Sequence, residues 1–228
     1  MGWTPQVSLG VVSAYFAKFV GAFCLRLYES LTLNDSPQPV DLIFVMAGRM
    51  ERKRYGLELH RAGTAPLVTL SVGRFEVSRM SMLDREVLDE LTALRDRTPP
   101  AERHFFICID RSGVHIEKAV LPRWSTYGEA VAFRRFWEVK KARSVMVVST
   151  DVHLRRTALA FAEVFRGAPV EFRYCPVPSS FGFVQKSRWW TRRDDRRFVL
   201  RELLKLAGYR AIFLAPHWAI RRLMRLKN

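Results

Sequence analysis

Residues 144–161 read SVMVVSTDVHLRRTALAF. An apolar run rich in β-branched residues stops at Ser149, and helical spacing then begins, carried by Leu154, Ala158, Phe161 and Phe165. A run of this length and composition is a strand buried on both faces, as in parallel sheets covered by helices. The stretch 41–48, DLIFVMAG, repeats the arrangement. It reads as a buried strand ending at Gly48, followed by a helix over residues 50–62 that presents Tyr55, Leu59 and Ala62 and stops at Gly63.

Working outward, LVTLS (67–71) after Pro66 is a second strand. Met80, Leu83, Val87, Leu91 and Leu94 predict an amphipathic helix over 78–97, halted by Thr98-Pro99-Pro100. HFFICID (104–110) and VHIEKAV (114–120), joined by Arg111-Ser112-Gly113, form a strand pair. Tyr127, Ala130, Phe133 and Trp137 place a helix over 126–141, VEFRYCPV (170–177) is a strand, and 178–193 reads as a loop. A last helix spans 195–207 and stops at Gly208. Strands alternating with helices in this way predict an α/β domain over residues 41–210 with a mainly parallel sheet. In such sheets ligands bind beyond the carboxyl ends of the strands, which directs attention to 47–52, 71–75 and 149–153.

The two ends differ from this domain. Residues 1–32 contain the most apolar stretch, VSLGVVSAYFAKFVGAFCLRL (7–27), long enough to span a bilayer but carrying Lys18 at its centre. Val12, Phe16, Phe19, Phe23 and Leu27 recur at helical spacing, so an amphipathic helix on the core or at a lipid interface stands beside a true span. No basic residue precedes the run, unlike a secretory signal. Residues 211–228 form a basic amphipathic tail in which Ile220, Leu223 and Met224 share a face beside Arg221, Arg222 and Arg225. Net charge is +16, and from Lys186 onward 13 Lys/Arg face three acids, a balance that suits an anionic partner or a solvated surface. Trp189 and Trp190 beside those arginines suggest stacking on bases, yet no dedicated nucleic-acid motif accompanies them. Cys24, Cys108 and Cys175 are widely spaced in apolar surroundings and read as reduced, buried thiols. The five histidines show no metal-ligand spacing.

Three constellations carry chemistry. Ala47-Gly48-Arg49 opens a helix with Glu51 and Arg52, where backbone N–H groups and a guanidinium could meet an anion. Thr126 and Glu129 have capping-box spacing, which accounts for both residues. Alternatively, Glu129 faces the ligand edge as a general base or acceptor. Thr150, Asp151, His153 and Arg156 open the helix after the 144–149 strand. Thr150 or Asp151 serves as N-cap, and His153 is placed to bind an anion or carry a proton.

DLIFVMAG, ERKRYGLELHRAGTAPLVTLS (51–71), STYGEA (125–130) and VMVVSTDVHLRRTALAF (145–161), in that order, resemble successive motifs of the SanA/ElyC/YdcF-like family of bacterial envelope proteins. The resemblance covers about residues 41–165, with a continuation through Glu202, Lys205 and Tyr209. Ala47 and Val72 stand where the family usually has glycine, Gly56 where it has alanine, and 74–120 lacks a counterpart. The resemblance implies a Rossmann-like three-layer fold and a role in envelope biogenesis at the inner membrane, with a cytoplasmic location as the alternative. It places Gly48, Arg52, Ser71, Gly73, Thr126, Glu129, His153 and Arg156 at the matching positions, with Thr150 adjoining. The expected ligand is a phosphate-bearing small molecule or envelope precursor. Glu129 and His153 would then manage protons in a hydrolase or transferase, and an anionic membrane surface would be a further partner. S-adenosylmethionine binding is the alternative suggested by some relatives, although no acid directly follows the second strand to hold a ribose. The cofactor is left open.

Overall fold

A computed structural model describes residues 9–121, 125–181 and 184–215. The apolar runs become six strands: β1 (Leu42–Val45), β2 (Leu67–Gly73), β3 (His104–Asp110), β4 (Gly113–Lys118), β5 (Ser144–Ser149) and β6 (Glu171–Pro176). They form one sheet in the order β4-β3-β2-β1-β5-β6. β1 pairs in parallel with β2 and β5, and β5 with β6, whereas β2–β3 and β3–β4 are antiparallel. The sheet is therefore mixed and mostly parallel, and the strand pair read from 104–120 forms its antiparallel edge.

The described helices are α1 (Leu9–Glu29), α2 (Met50–Arg61), α3 (Arg85–Arg97), α4 (Ser125–Lys140), α5 (Asp151–Val164) and α6 (Arg193–Phe213). Alternate side chains of β1 divide the core. Leu42 and Phe44 join α4 and α5 on one face, while Ile43 and Val45 join α2 and α3 on the other. Phe44 and Phe133 are both fully buried and stack with centroids 4.0 Å apart, where each ring contributes about 1.5–3 kcal/mol by leaving water. β1 lies between β2 and β5, so the chain winds away from it in both directions. This is the switch point at which α/β sheets open a crevice.

Several boundaries and faces differ from the pattern-based expectation. The residues of α2 that pack inward are Lys53, Gly56, Leu57 and Leu59, while Tyr55 is half-buried and Ala62 exposed. The helix expected from residue 78 starts at Arg85. Residues 77–79 form a single 3-10 turn, and Met80 is buried from a turn, so an apolar spacing that resembled a helix is met without one. α6 runs from Arg193 to Phe213, through Gly208 where it was expected to stop. Burial of Leu206 and Tyr209, with Ile212 and Phe213 packed on the core, outweighs the roughly 1 kcal/mol that glycine costs a helix. Residues 216–228, including the Ile220, Leu223 and Met224 face, lie outside the described residues.

α1 and the turn after it dock through Cys24, Leu27, Tyr28 and Leu31 against Val152, Trp189, Val199 and Leu206. Phe19 and Phe23, expected on the apolar face, point outward with 71% and 55% of their surface exposed. The side chains of Val12 and Phe16 are not among those described. Among the described residues no helix is long and apolar enough to cross a membrane. Trp189 is buried and donates its indole N–H to the Cys24 carbonyl at 3.0 Å, so it is not available for the base stacking suggested by the sequence.

Gly56 permits the closest approach of helix to sheet. A Cβ there would lie 2.3 Å from Cγ2 of Val45, which is fully buried. Gly56→Ala gains helix propensity but overpacks the α2–β1 contact, so it should lower unfolding free energy by about 1–3 kcal/mol in urea titrations. Adding Val45→Ala removes the clashing methyl and should make the G56A change neutral or favourable when measured in that background.

Candidate functional site

The loop after β1 is the centre of the site. Gly48 has φ +126°, a conformation that side-chain-bearing residues rarely adopt, and a Cβ there would also meet the Arg52 guanidinium at 3.1 Å. The backbone N–H groups that this turn was expected to offer a ligand are already engaged. Ala47 N–H donates to Glu129 Oε1 at 2.6 Å and Gly48 N–H to Glu76 Oε1 at 2.5 Å. Glu76 Oε2 lies 2.5 Å from Lys53 Nζ, and the fully buried Lys53 also donates to the Met46 carbonyl at 3.0 Å. Two glutamates from distant segments thus fill the anion nest, and Lys53 balances one of them.

The buried arginines flank this loop. Arg52, on the first turn of α2, donates to the Ala47 carbonyl and to Thr150 Oγ1, the latter at 2.9 Å. Its Nε–H is buried without a hydrogen-bond partner among the described residues. Burial draws the Arg52 pKa down to about 10, against the opposing influence of Glu129, Glu76 and Glu202. Arg156 donates from Nε and Nη2 to Glu202 Oε2 at 3.0 and 2.8 Å and from Nη1 to Thr126 Oγ1. Lys205 holds the other Glu202 oxygen at 2.8 Å.

Thr126 and Glu129 do not form the capping box that their spacing suggests. Thr126 lies within α4 with its hydroxyl turned to Arg156 and His153, and Glu129 reaches across to β1. Glu129 also takes the Ser71 hydroxyl as a hydrogen-bond partner, and burial raises its pKa from the usual carboxylate range. His153 has Ser149 Oγ at 2.8 Å from Nδ1 and Thr126 Oγ1 at 3.3 Å from Nε2. Burial, then Arg156 and Arg52, hold it well below 6.5. That favours a neutral His153 ring at physiological pH. Thr150 occupies the N-cap position of α5 but makes no capping hydrogen bond and instead receives Arg52.

Most of these groups line one cleft of about 910 Å³ at the carboxyl ends of β1, β2 and β5. Of the residues assigned from sequence, Gly48, Arg52, Gly73, Thr126, Glu129, His153 and Arg156 all line it. Ser71 lies beneath its floor, joined to His104 at 2.7 Å. Thr150 faces an adjoining cavity of about 900 Å³. Sequence reasoning missed Lys53, Glu76 and His104, and met Glu202 only through the family resemblance. Lys53 stands in an Arg-Lys-Arg run that reads as solvated, and Glu76 and His104 come from the stretch without motifs. The strand-end rule did flag residues 71–75, beside Glu76.

The charge lining the cleft is unbalanced. Arg49, Arg52, Arg74, Arg103, Arg156 and Lys205 face Glu76, Glu129 and Glu202. Comparison with known proteins adds no relative: no family model, curated protein or solved structure matches the chain. No cluster of residues able to hold a metal ion occurs among the described residues.

Proposed function

We propose that this chain binds a phosphate-bearing small molecule in the cationic cleft at the carboxyl edge of the sheet. The observation that carries the reading is Arg52. Among the described residues its buried Nε–H has no partner, and it lies in a cleft whose cationic residues outnumber the acidic ones by six to three. An anion seated there would satisfy the orphan donor and the excess charge together.

The SanA/ElyC/YdcF-like motifs support a more specific form of the reading. Seven of their eight matching positions line one cleft and the eighth, Ser71, lies under it, which is how a shared site would be distributed. On this reading the protein serves envelope biogenesis at the inner membrane, and the ligand is a phosphorylated precursor undergoing hydrolysis or transfer. Glu129 is the proton-handling group, with its pKa raised and its carboxylate in the cleft. Arg52 and Arg156 stabilise anionic charge, and neutral His153 holds Thr126 in place. S-adenosylmethionine remains the competing ligand, but the acid nearest the end of β2, Glu76, is committed to Gly48 and Lys53.

Isothermal titration with inorganic phosphate, pyrophosphate, a nucleoside diphosphate and S-adenosylmethionine tests the reading. Phosphate compounds should bind, and Arg52→Lys, which keeps charge but loses Nε–H and the planar fork, should weaken them by about tenfold or more. Binding of S-adenosylmethionine alone would replace this reading with the alternative. For membrane association, exposed Phe19 and Phe23 beside exposed Lys18 and Arg26 supply an apolar and basic face on α1. The full chain should float with vesicles containing anionic phosphatidylglycerol, and Phe19→Ser/Phe23→Ser should reduce flotation several-fold. Equal flotation with purely zwitterionic vesicles would remove the anionic surface as a partner.

A further inference from the structure

His104 lies on β3 directly opposite Gly73 of β2, at the wall of the cleft fed by the β2 end. Its Nε2 is joined to Ser71 Oγ at 2.7 Å, and the Ser71 hydroxyl in turn bonds Glu129. Its Nδ1 has no hydrogen-bond partner among the described residues. Gly73 keeps this nitrogen open: a Cβ at 73 would sit 3.9 Å from His104 Nδ1 and 3.4 Å from Glu76 Oε1.

Proton counting fixes the polarity of the open nitrogen. A serine hydroxyl has one proton to donate, and ionised Glu129, which already accepts from Ala47 N–H, takes it as an acceptor. Ser71 must then accept from His104, which places the ring proton on Nε2 and leaves Nδ1 as a bare lone pair facing the cleft. Burial pushes the His104 pKa down to about 4, so the ring stays neutral and Nδ1 stays an acceptor at physiological pH. Arg52 and Arg156 can receive only acceptors, whereas Nδ1 calls for a donor.

Resting on the anion-binding reading above, we propose that His104 Nδ1 and the gap at Gly73 form a hydroxyl-recognition subsite, so that the ligand is a phosphorylated polyol or sugar rather than a simple phosphate ester. One end of the molecule is held by the arginines as an anion. A hydroxyl at the other end donates to Nδ1.

The test compares phosphate compounds with and without hydroxyl groups, glycerol 3-phosphate and propyl phosphate being the pair matched in chain length. Glycerol 3-phosphate, ribose 5-phosphate, propyl phosphate and inorganic phosphate are titrated into the full chain by calorimetry. Glycerol 3-phosphate or ribose 5-phosphate should bind about tenfold or more tightly than propyl phosphate, the worth of one well-placed hydrogen bond. His104→Phe should bring the polyol and alkyl esters within twofold of one another. Gly73→Ala, whose methyl fits at van der Waals distance and covers Nδ1, should erode the preference with His104 intact. Phosphate binding without any hydroxyl preference in the wild type overturns the subsite and leaves the anion site standing. Failure of all four compounds to bind overturns both.

Discussion

Between pH 7.5 and pH 5, unfolding free energy should fall by about 2 kcal/mol through His104, with a further fall from His153. Both histidines are held neutral in the folded chain, His104 pushed down to about 4 and His153 well below 6.5. The unfolded chain protonates them near 6.5. It therefore binds more protons than the native state throughout this window, and stability decreases as pH falls. Glu129 works in the opposite direction. Its raised pKa means that the folded state takes up a proton before the unfolded one, which adds stability as pH falls toward 4.5. The carboxylates with lowered values, Asp41, Asp96 and Asp110, begin to destabilise only below about pH 4, outside the window. The separation is made by variants. His104→Gln should reduce the slope of stability against pH by about 1 kcal/mol per unit between pH 6 and 5, and His153→Gln should reduce it as well. Urea titrations at half-unit intervals read this directly. An unchanged slope in His153→Gln would mean that the ring is protonated in the folded chain, and that the neutral hydrogen-bonding role given to it is wrong.

A contrast between local and distant partners explains what the sequence disclosed. The buried strands were legible because each is a single contiguous run, and α4 because Tyr127, Ala130, Phe133 and Trp137 are neighbours on one face. The cleft at the strand ends was legible because strand ends are local events and the strand-end rule needs no pairing information. The partners within the site were not. Arg156 finds Glu202 46 residues away, and Ala47 finds Glu129 82 residues away, separations that leave no periodic trace. Local spacing even misled, since Thr126 and Glu129 satisfy a capping-box pattern while bonding to other elements. Lys53 was invisible for a related reason. A lysine in a basic run reads as surface until Glu76 supplies the charge that makes its burial tolerable.

Glu202→Leu should be among the most damaging single substitutions in the chain, lowering unfolding free energy by about 3–5 kcal/mol. Arg156 and Glu202 expose only 6% and 5% of their side chains, so removing the carboxylate leaves a guanidinium with Thr126 and the face of Tyr209 as its remaining company. Lys205, about half exposed, loses little when its partner goes, because water replaces the contact. Adding Arg156→Met removes the stranded charge, and the double variant should recover at least half of the loss, as expected when a buried pair is exchanged for apolar side chains. Recovery should not extend to function. Arg156 lines the cleft, so the refolded double variant should bind pyrophosphate at least tenfold more weakly than wild type. Urea denaturation gives the first comparison and calorimetry the second. Full binding in a stable double variant would make the Arg156–Glu202 pair a brace between α5 and α6, with ligand recognition left to Arg52 and the rim.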